Sequence, residues 1–202
     1  MAGALVWQLN DCWPVSSWAI VDSVFRPKPA YYAVRRELRP LVLGLAQEAG
    51  GVAAWAVNGE RTTIDGQLEL SVWGLDGSLS ASQQLALTLP PNEASELGAF
   101  ALDLSGDKVL AARLVVAGAV AARAALWPEP FKYLTLPEPG IEMARDGARL
   151  RLRAARPAKG VWLEAGDGVG WSDNFLDLFP GDEQVIGIDG LGGREVSVRW
   201  LR

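Results

Sequence analysis

Four side chains near the amino terminus have types that could recognise a hydroxylated ligand. Trp7, Asn10, Asp11 and Trp13 lie in the run Trp-Gln-Leu-Asn-Asp-Cys-Trp-Pro at residues 7–14. An indole can stack on the apolar face of a sugar ring, while amide and carboxylate groups form hydrogen bonds with its hydroxyls. The alternative is that both tryptophans fill a hydrophobic core. Residue types alone leave both interpretations open.

The acidic residues do not form a pattern that predicts catalysis. Asp11 and Asp22 fall in one loop, where loop hydrogen bonding and helix capping are their ordinary roles. A second acidic group, between Asp167 and Asp182, offers the oxygen ligands that calcium prefers, but its spacing matches no calcium-binding loop. We therefore predict no catalytic residue, no metal site and no cofactor.

The composition argues against several classes of function. The chain of 202 residues contains no histidine, which excludes a Ser-His-Asp triad and a histidine zinc site within it. Its formal net charge of −5, without a basic stripe, makes nucleic acid and anionic membranes poor partners. The single cysteine, Cys12, permits a reducing compartment, and no signal peptide follows Met1. We expect a cytoplasmic location.

The elements that position these four candidate ligand-binding residues differ from the rest of the chain. The apolar run 4–9 predicts a strand buried on both faces, and a long loop follows it. Residues 30–38 have an apolar helical face, with Pro29 suited to the first helical position and Pro40 ending the helix. The order strand, loop, helix is half of a βαβ unit. Aromatic and polar residues after such a strand are typical of the active-site rim of a (β/α)₈ barrel.

From residue 41 onward the pattern changes to short alternating strands separated by turns such as Asn58-Gly59 and Asp76-Gly77. The first seven predicted strands are 41–45, 52–57, 68–73, 85–89, 100–104, 111–116 and 120–126. The apolar stretch Val109 to Trp127 is interrupted by two arginines and a glycine, so we interpret it as a hairpin rather than a membrane helix. Seven such strands are typical of an immunoglobulin-like sandwich.

Four prolines between residues 128 and 139 predict a domain boundary near 128–138. A second all-β unit follows, with strands predicted near 141–144, 148–155, 160–165, 184–188 and 195–201. The predicted domains are therefore residues 1–40, 41–130 and 131–202.

Two motifs carry a resemblance to a known family. The run at 7–14, with Ser17-Trp18, Asp22 and residues 26–32, resembles the last barrel strand and helix of β-mannosidases in glycoside hydrolase family 2. A second run, Trp-Ser-Asp-Asn-Phe at 171–175, resembles a signature of their terminal immunoglobulin-like domain. The expected fold is mainly β: two immunoglobulin-like β-sandwich domains preceded by a short strand-loop-helix remnant of a (β/α)₈ barrel.

The resemblance implies that the parent hydrolyses terminal β-D-mannose residues by a retaining mechanism that uses two glutamates. Those glutamates would lie on earlier barrel strands, upstream of residue 1, so we expect this chain alone to be inactive. The resemblance makes Trp7 an aromatic surface near the cleaved sugar, with Asn10, Asp11 and Trp13 shaping the rim. The partner would be a carbohydrate substrate, bound together with the missing catalytic domain.

Three alternatives stay open. The chain could be the corresponding part of a related family 2 exo-β-glucosaminidase. It could be a carbohydrate-binding module that works through those of its nine tryptophans that are exposed. It could also be a structural or dimerising element, because an unpartnered barrel strand would present an exposed edge to a second copy and form a homodimer.

Overall fold

The computed structural model describes residues 5–128 and 130–202. This part of the chain contains one α-helix and fourteen β-strands, which confirms the mainly β fold. The elements in chain order are α1 (Pro29–Glu37), β1 (Leu41–Glu48), β2 (Gly51–Asn58), β3 (Ile64–Gly74), β4 (Leu79–Leu89), β5 (Glu93–Phe100), β6 (Lys108–Val116), β7 (Ala119–Leu126), β8 (Ile141–Asp146), β9 (Arg149–Ala154), β10 (Ala158–Glu164), β11 (Gly170–Trp171), β12 (Leu176–Leu178), β13 (Gln184–Asp189) and β14 (Ser197–Arg199).

The first sandwich consists of β1 to β7. One antiparallel sheet has the order β1-β2-β5 and the other has the order β4-β3-β6-β7. Alternate residues of β3, namely Leu68, Leu70 and Val72, are buried between the sheets because successive side chains of a strand point to opposite faces. The fifth predicted strand, 100–104, is wrong. Leu102 and Leu104 pack against the core from an irregular segment, so their alternation reflects burial without strand pairing.

The stretch from Val109 to Trp127 forms the predicted hairpin. Strands β6 and β7 pair in antiparallel fashion, and Arg113 lies directly opposite Arg123. The turn at Ala117 and Gly118 has φ angles of 50° and 77°, a left-handed backbone that suits the twist of a tight hairpin. No helix in the described ranges is long and apolar enough to cross a membrane.

The second sandwich consists of β8 to β14. Its sheets have the orders β11-β13-β9-β8 and β12-β10-β14, around a core that includes Leu152, Leu163 and Leu178. The five predicted strands correspond to β8, β9, β10, β13 and β14. Strands β11 and β12 have two and three residues, too few to show a period in the sequence.

The sandwiches pack against each other through apolar and charged contacts. The rings of Trp127 and Phe179 lie 5.7 Å apart, in a buried cluster that also contains Val109. Beside this cluster, Asp182 of the second sandwich accepts hydrogen bonds from Arg123 Nε and Nη2 at 2.7 and 2.9 Å. These contacts hold the outer face of the β4-β3-β6-β7 sheet against the second sandwich.

The amino-terminal segment agrees with the expectation only in part. Helix α1 begins at Pro29, as predicted, because proline lacks the N–H that would have no partner there. Residues 5–9 do not form the predicted strand, and Gly3 and Ala4 lie outside the described residues. A strand requires a neighbouring ladder, and the backbone partner here is the short stretch 20–21, paired through the isolated bridge Asn10–Val21.

Candidate functional site

The candidate site is the amino-terminal loop, residues 5–28, which carries all four predicted ligand-binding residues. Trp7 and Trp13 are exposed by 75% and 67%, so neither fills a core formed by the described residues. Trp18, which the prediction left out, is exposed by 71%. Large apolar side chains rarely remain in solvent as a group unless they face a ligand or another protein surface. The loop therefore presents indole faces outward.

Asp11 holds the loop together. Its carboxylate is buried and accepts hydrogen bonds from Lys28 Nζ at 2.8 Å and Ser17 Oγ at 2.5 Å. These two donors, Lys28 foremost, lower the pKa of the Asp11 carboxyl below its ordinary value of 3.8. Both oxygens thus already accept hydrogen bonds within the loop. The role of Asp11 in shaping a sugar-binding rim stays a prediction.

Backbone hydrogen bonds give the loop a defined shape. The N–H groups of Ile20 and Val21 donate to the carbonyls of Gln8 and Leu9, and the N–H of Asp11 donates to Val21. The peptide bond between Trp7 and Gln8 is cis. Exposed Asn10 pairs with Val21 through a parallel bridge, and its amide donates to the neighbouring Asp11 carbonyl. The exposed indoles therefore extend from a backbone that is hydrogen-bonded on its inner side.

Asp22 orders the far end of the loop. Its carboxylate accepts hydrogen bonds from the backbone N–H groups of Val24 and Arg26, and also from Arg26 Nε at 2.7 Å. The N–H of Arg26 is the main cause of a lowered pKa of the Asp22 carboxyl. Loop hydrogen bonding, the ordinary role predicted for Asp11 and Asp22, is confirmed for both.

Helix α1 fixes this loop to the second sandwich through its arginine side chains. Arg36 Nη1 donates to Asp173 Oδ1 at 2.7 Å and to the Asn174 carbonyl at 2.9 Å, and its Nη2 donates to the Phe175 carbonyl at 3.0 Å. Arg39 also donates to Asp173, at 3.1 Å. We call residues 172–175 the helix-docking loop. Helix α1, which begins within the first motif, thus contacts the second motif more than a hundred residues further along the chain.

The helix-docking loop is itself fixed by Asn174, which is fully buried. Its side-chain oxygen accepts a hydrogen bond from the N–H of Leu163 at 2.7 Å, and its side-chain nitrogen donates to the Leu163 carbonyl at 2.9 Å. One amide thereby satisfies both backbone groups of a residue in β10, as a neighbouring strand would. Sequence reasoning missed Arg36, Asp173 and Asn174 as a unit, although the second motif was the signal that could have located them.

The acidic residues near the carboxy terminus are engaged in structural contacts. Asp177 accepts hydrogen bonds from Trp127 Nε1 at 2.8 Å and from the N–H of Gly160 at 2.9 Å. Asp173 pairs with Arg36 of α1 and with Arg39 just beyond its end, and Asp182 pairs with arginines of the first sandwich. These contacts link three parts of the chain, and each explains why a carboxylate occurs at that position.

Two family models match the chain. Residues 50–133 match the Mannosidase Ig/CBM-like domain and residues 136–198 match the Ig-fold domain of mannosidases. Beta-mannosidase B of Emericella nidulans is 37% identical over 98% of this chain, and that of Aspergillus niger is 37% identical over 96% of it. The chain carries the two immunoglobulin-like domains of the β-mannosidase family. It spans 26% of the length of each of these relatives and corresponds to their carboxy-terminal immunoglobulin-like part.

Solved structures of glycoside hydrolases share the fold of this β-mannosidase-like chain. The β-D-mannosidase of Dictyoglomus thermophilum superposes with a TM-score of 0.85 at 23% identity, over 97% of this chain and 26% of the other. The exo-chitosanase of Amycolatopsis orientalis superposes with a TM-score of 0.72 at 19% identity, over 96% and 29%. At these identities the similarity shows the fold alone. It includes the amino-terminal loop and α1, because nearly the whole chain is covered.

Proposed function

We propose that this chain completes the sugar-binding site of a longer β-mannosidase, whose catalytic carboxylates lie in the part of the protein outside this sequence. The observation that carries the proposal is the exposed loop at 5–28, which holds three outward-facing indoles on an internally hydrogen-bonded backbone. The two sandwiches would serve as a non-catalytic scaffold that fixes this loop through α1.

In this proposal each loop residue has a separate task. Trp7 stacks against the apolar face of the terminal mannose, where an aromatic ring both binds and orients a pyranose. Asn10 and Trp13 form the rim, and Asp11 keeps the rim in position through its bonds to Ser17 and Lys28. Holding the sugar in one orientation raises the rate of hydrolysis, because two carboxyls must flank the same glycosidic bond.

The apolar surface around these residues supports a covered state. Leu5, Val6 and Leu9 are exposed by 101%, 52% and 63%, next to the exposed indole of Trp7. A continuous apolar surface of this kind is characteristic of a contact with another domain or subunit. We propose that the remainder of the β-mannosidase covers it. A homodimer and a cytoplasmic location stay predictions.

The first test uses this chain alone. We expect no release of nitrophenol from an aryl β-D-mannoside, because the two carboxylates of a retaining site would be missing. The non-catalytic assignment would be contradicted if the pure protein showed reproducible turnover and if substitution of at least one carboxylate in residues 5–202 abolished it.

The second test uses a full-length protein that carries this sequence as its carboxy-terminal part. Trp7→Ala should lower kcat/KM on an aryl β-D-mannoside by about tenfold, from a loss of about 1.4 kcal/mol of stacking energy, and Trp7→Phe should restore most of it. Trp55→Ala is the matched control, since Trp55 is partly exposed on β2. Equal effects of Trp7→Ala and Trp55→Ala would refute a role for the loop in the sugar site.

The exo-β-glucosaminidase alternative has weaker support. The relatives that are 37% identical to this chain are both named β-mannosidase B, whereas the exo-chitosanase is 19% identical to it. The same full-length protein decides the matter when aryl β-D-mannoside and aryl β-D-glucosaminide are compared. A higher kcat/KM on the glucosaminide would replace the mannosidase proposal.

A further inference from the structure

The outer face of the first sandwich carries three rows of side chains across β3, β6 and β7. Strand register sets these rows, because residues on one face that lie opposite each other are neighbours. The rows are a charged one (Glu69, Arg113, Arg123), a small one (Ser71, Ala111, Ala125) and an aromatic one that begins with Trp73 beside Val109. The small row lies between two rows of large side chains.

This arrangement creates a cavity between the two sandwiches. Residues 176–184 of the second sandwich lie over the small row, and the volume of the cavity, which is partly open to solvent, is about 380 Å³. The space exists because serine and alanine are much shorter than the arginines on one side and the tryptophan on the other. Cavities that bind small molecules start at about 300 Å³, so this one has the size for a single small ring.

The two ends of the cavity differ in chemistry. Trp73 and Phe179 line one end, next to the buried apolar cluster of the sandwich interface. The other end has three arginines (Arg36, Arg113, Arg123) and three carboxylates (Glu37, Glu69, Asp182), while Asp177 accepts a hydrogen bond from Trp127 beside the apolar end. These charges nearly cancel, so the lining favours a neutral ligand over an anion or a cation. A ligand that fits the cavity must therefore have both an apolar face and a polar edge.

Hydrogen-bonding groups at the polar end have capacity left for a ligand. Glu69 accepts both of its hydrogen bonds from Arg113 at one carboxylate oxygen, Oε2. Ser71 Oγ, directly opposite Ala111 in the register, makes no hydrogen bond with any residue in the described ranges. A hydroxyl donor could therefore reach Glu69 Oε1 and Ser71 Oγ without displacing an existing ion pair.

We propose that this interdomain cavity binds one neutral pyranose unit of a carbohydrate. The ring packs its apolar face on Trp73, and its hydroxyls form hydrogen bonds with Ser71 and Glu69. A pyranose combines one face of C–H groups with a circumference of hydroxyls, which matches the two ends of the cavity. This binding site goes beyond the proposed contribution of the amino-terminal loop and requires no catalytic group.

The test is a titration of the whole chain, labelled with nitrogen-15, with methyl β-D-mannopyranoside. The indole N–H resonances of the tryptophans report the position of binding, and Trp73→Phe identifies the signal of Trp73. We expect a saturable shift of that signal with a Kd of about 1 mM. Ser71→Ala should weaken binding about fivefold through loss of one hydrogen bond.

A cavity-filling variant separates this site from any other. Ala125→Leu should abolish the shift of Trp73, because its side chain occupies the space of the ring. Ala86→Leu, on the exposed face of β4, is the matched control and should bind like the unaltered chain. Saturable shifts confined to Trp7 and Trp13 would overturn the cavity assignment and still agree with the proposed function.

Three further results would refute the proposal. They are the absence of a saturable shift at Trp73, unchanged binding by Ala125→Leu, and equally tight binding of glycerol. Glycerol has hydroxyls but no apolar ring face, so equal affinity would exclude a pyranose as the ligand that the cavity selects. Loss of binding in both Ala125→Leu and Ala86→Leu would mean that the shift does not report the cavity.

Discussion

The contact between Arg36 and Asp173 should control the order of the amino-terminal loop. Arg36 makes three hydrogen bonds of 2.7–3.0 Å, one to the Asp173 carboxylate and two to carbonyls of the helix-docking loop. Each hydrogen bond to a charged group contributes about 1.5–3 kcal/mol when it is buried. The side chains of Arg36 and Asp173 are 28% and 14% exposed, so solvent screening reduces this sum. We expect Arg36→Ala to cost about 3 kcal/mol in docking free energy.

Hydrogen exchange measures this cost locally. A loss of about 3 kcal/mol corresponds to an increase of about 100-fold in the opening of the segment that α1 holds. The N–H groups of Val21 and Lys28, both bonded to backbone carbonyls of the loop, should therefore exchange about 100-fold faster in Arg36→Ala. Amides of β9, in the core of the second sandwich, should keep their rates, and Arg61→Ala on an exposed turn is the control for loss of an arginine.

A double-mutant cycle identifies the pair itself. The coupling free energy between Arg36→Ala and Asp173→Ala should be about 1–2 kcal/mol, and the remainder of the effect belongs to the two carbonyl contacts. Strictly additive effects would show that the carboxylate does not act through Arg36. Unchanged exchange at Val21 and Lys28 in either variant would show that the second sandwich does not position the loop.

Three more changes have expected outcomes. Asn174→Ala leaves the N–H and carbonyl of Leu163 buried without partners, so it should lower the free energy of unfolding in urea by about 3 kcal/mol. If this loss is no larger than that caused by an asparagine-to-alanine substitution at an exposed position, the strand-like role of the Asn174 amide is contradicted. Asp182→Ala leaves Arg123 without its carboxylate partner, while Arg113 keeps its pair with Glu69, and it should cost about 3 kcal/mol, with Asp182→Asn intermediate. The pKa of Asp11 is lowered in the folded chain, so its stabilising effect is complete above its ordinary value of 3.8 and is lost as pH falls through the lower folded value. Hydrogen exchange of the Lys28 amide should accelerate in that acidic range, and Asp11→Asn should remove this pH dependence. An identical pH profile in Asp11→Asn would refute the assignment of this effect to the Asp11 carboxylate.

Local patterns predicted much of the fold. Pro29 and the apolar spacing that follows it placed α1 to within one residue at each end, because helix starts depend on neighbouring residues alone. Alternation in β3 and the arginine-interrupted hairpin of β6 and β7 were predicted for the same reason. The fifth strand was misplaced because Leu102 is buried without belonging to a ladder.

The sequence by itself determined the secondary-structure periods, the exclusion of histidine chemistry, the family resemblance of the two motifs and the residues of the amino-terminal loop. Only the tertiary structure decided that Trp7 faces outward, that Arg36 contacts Asp173, and that small side chains on β3, β6 and β7 leave a cavity under the second sandwich. The reason is physical. Periodicity follows from the rise and turn of the backbone within a few residues, whereas exposure, ion pairing and empty volume depend on which distant surfaces pack together.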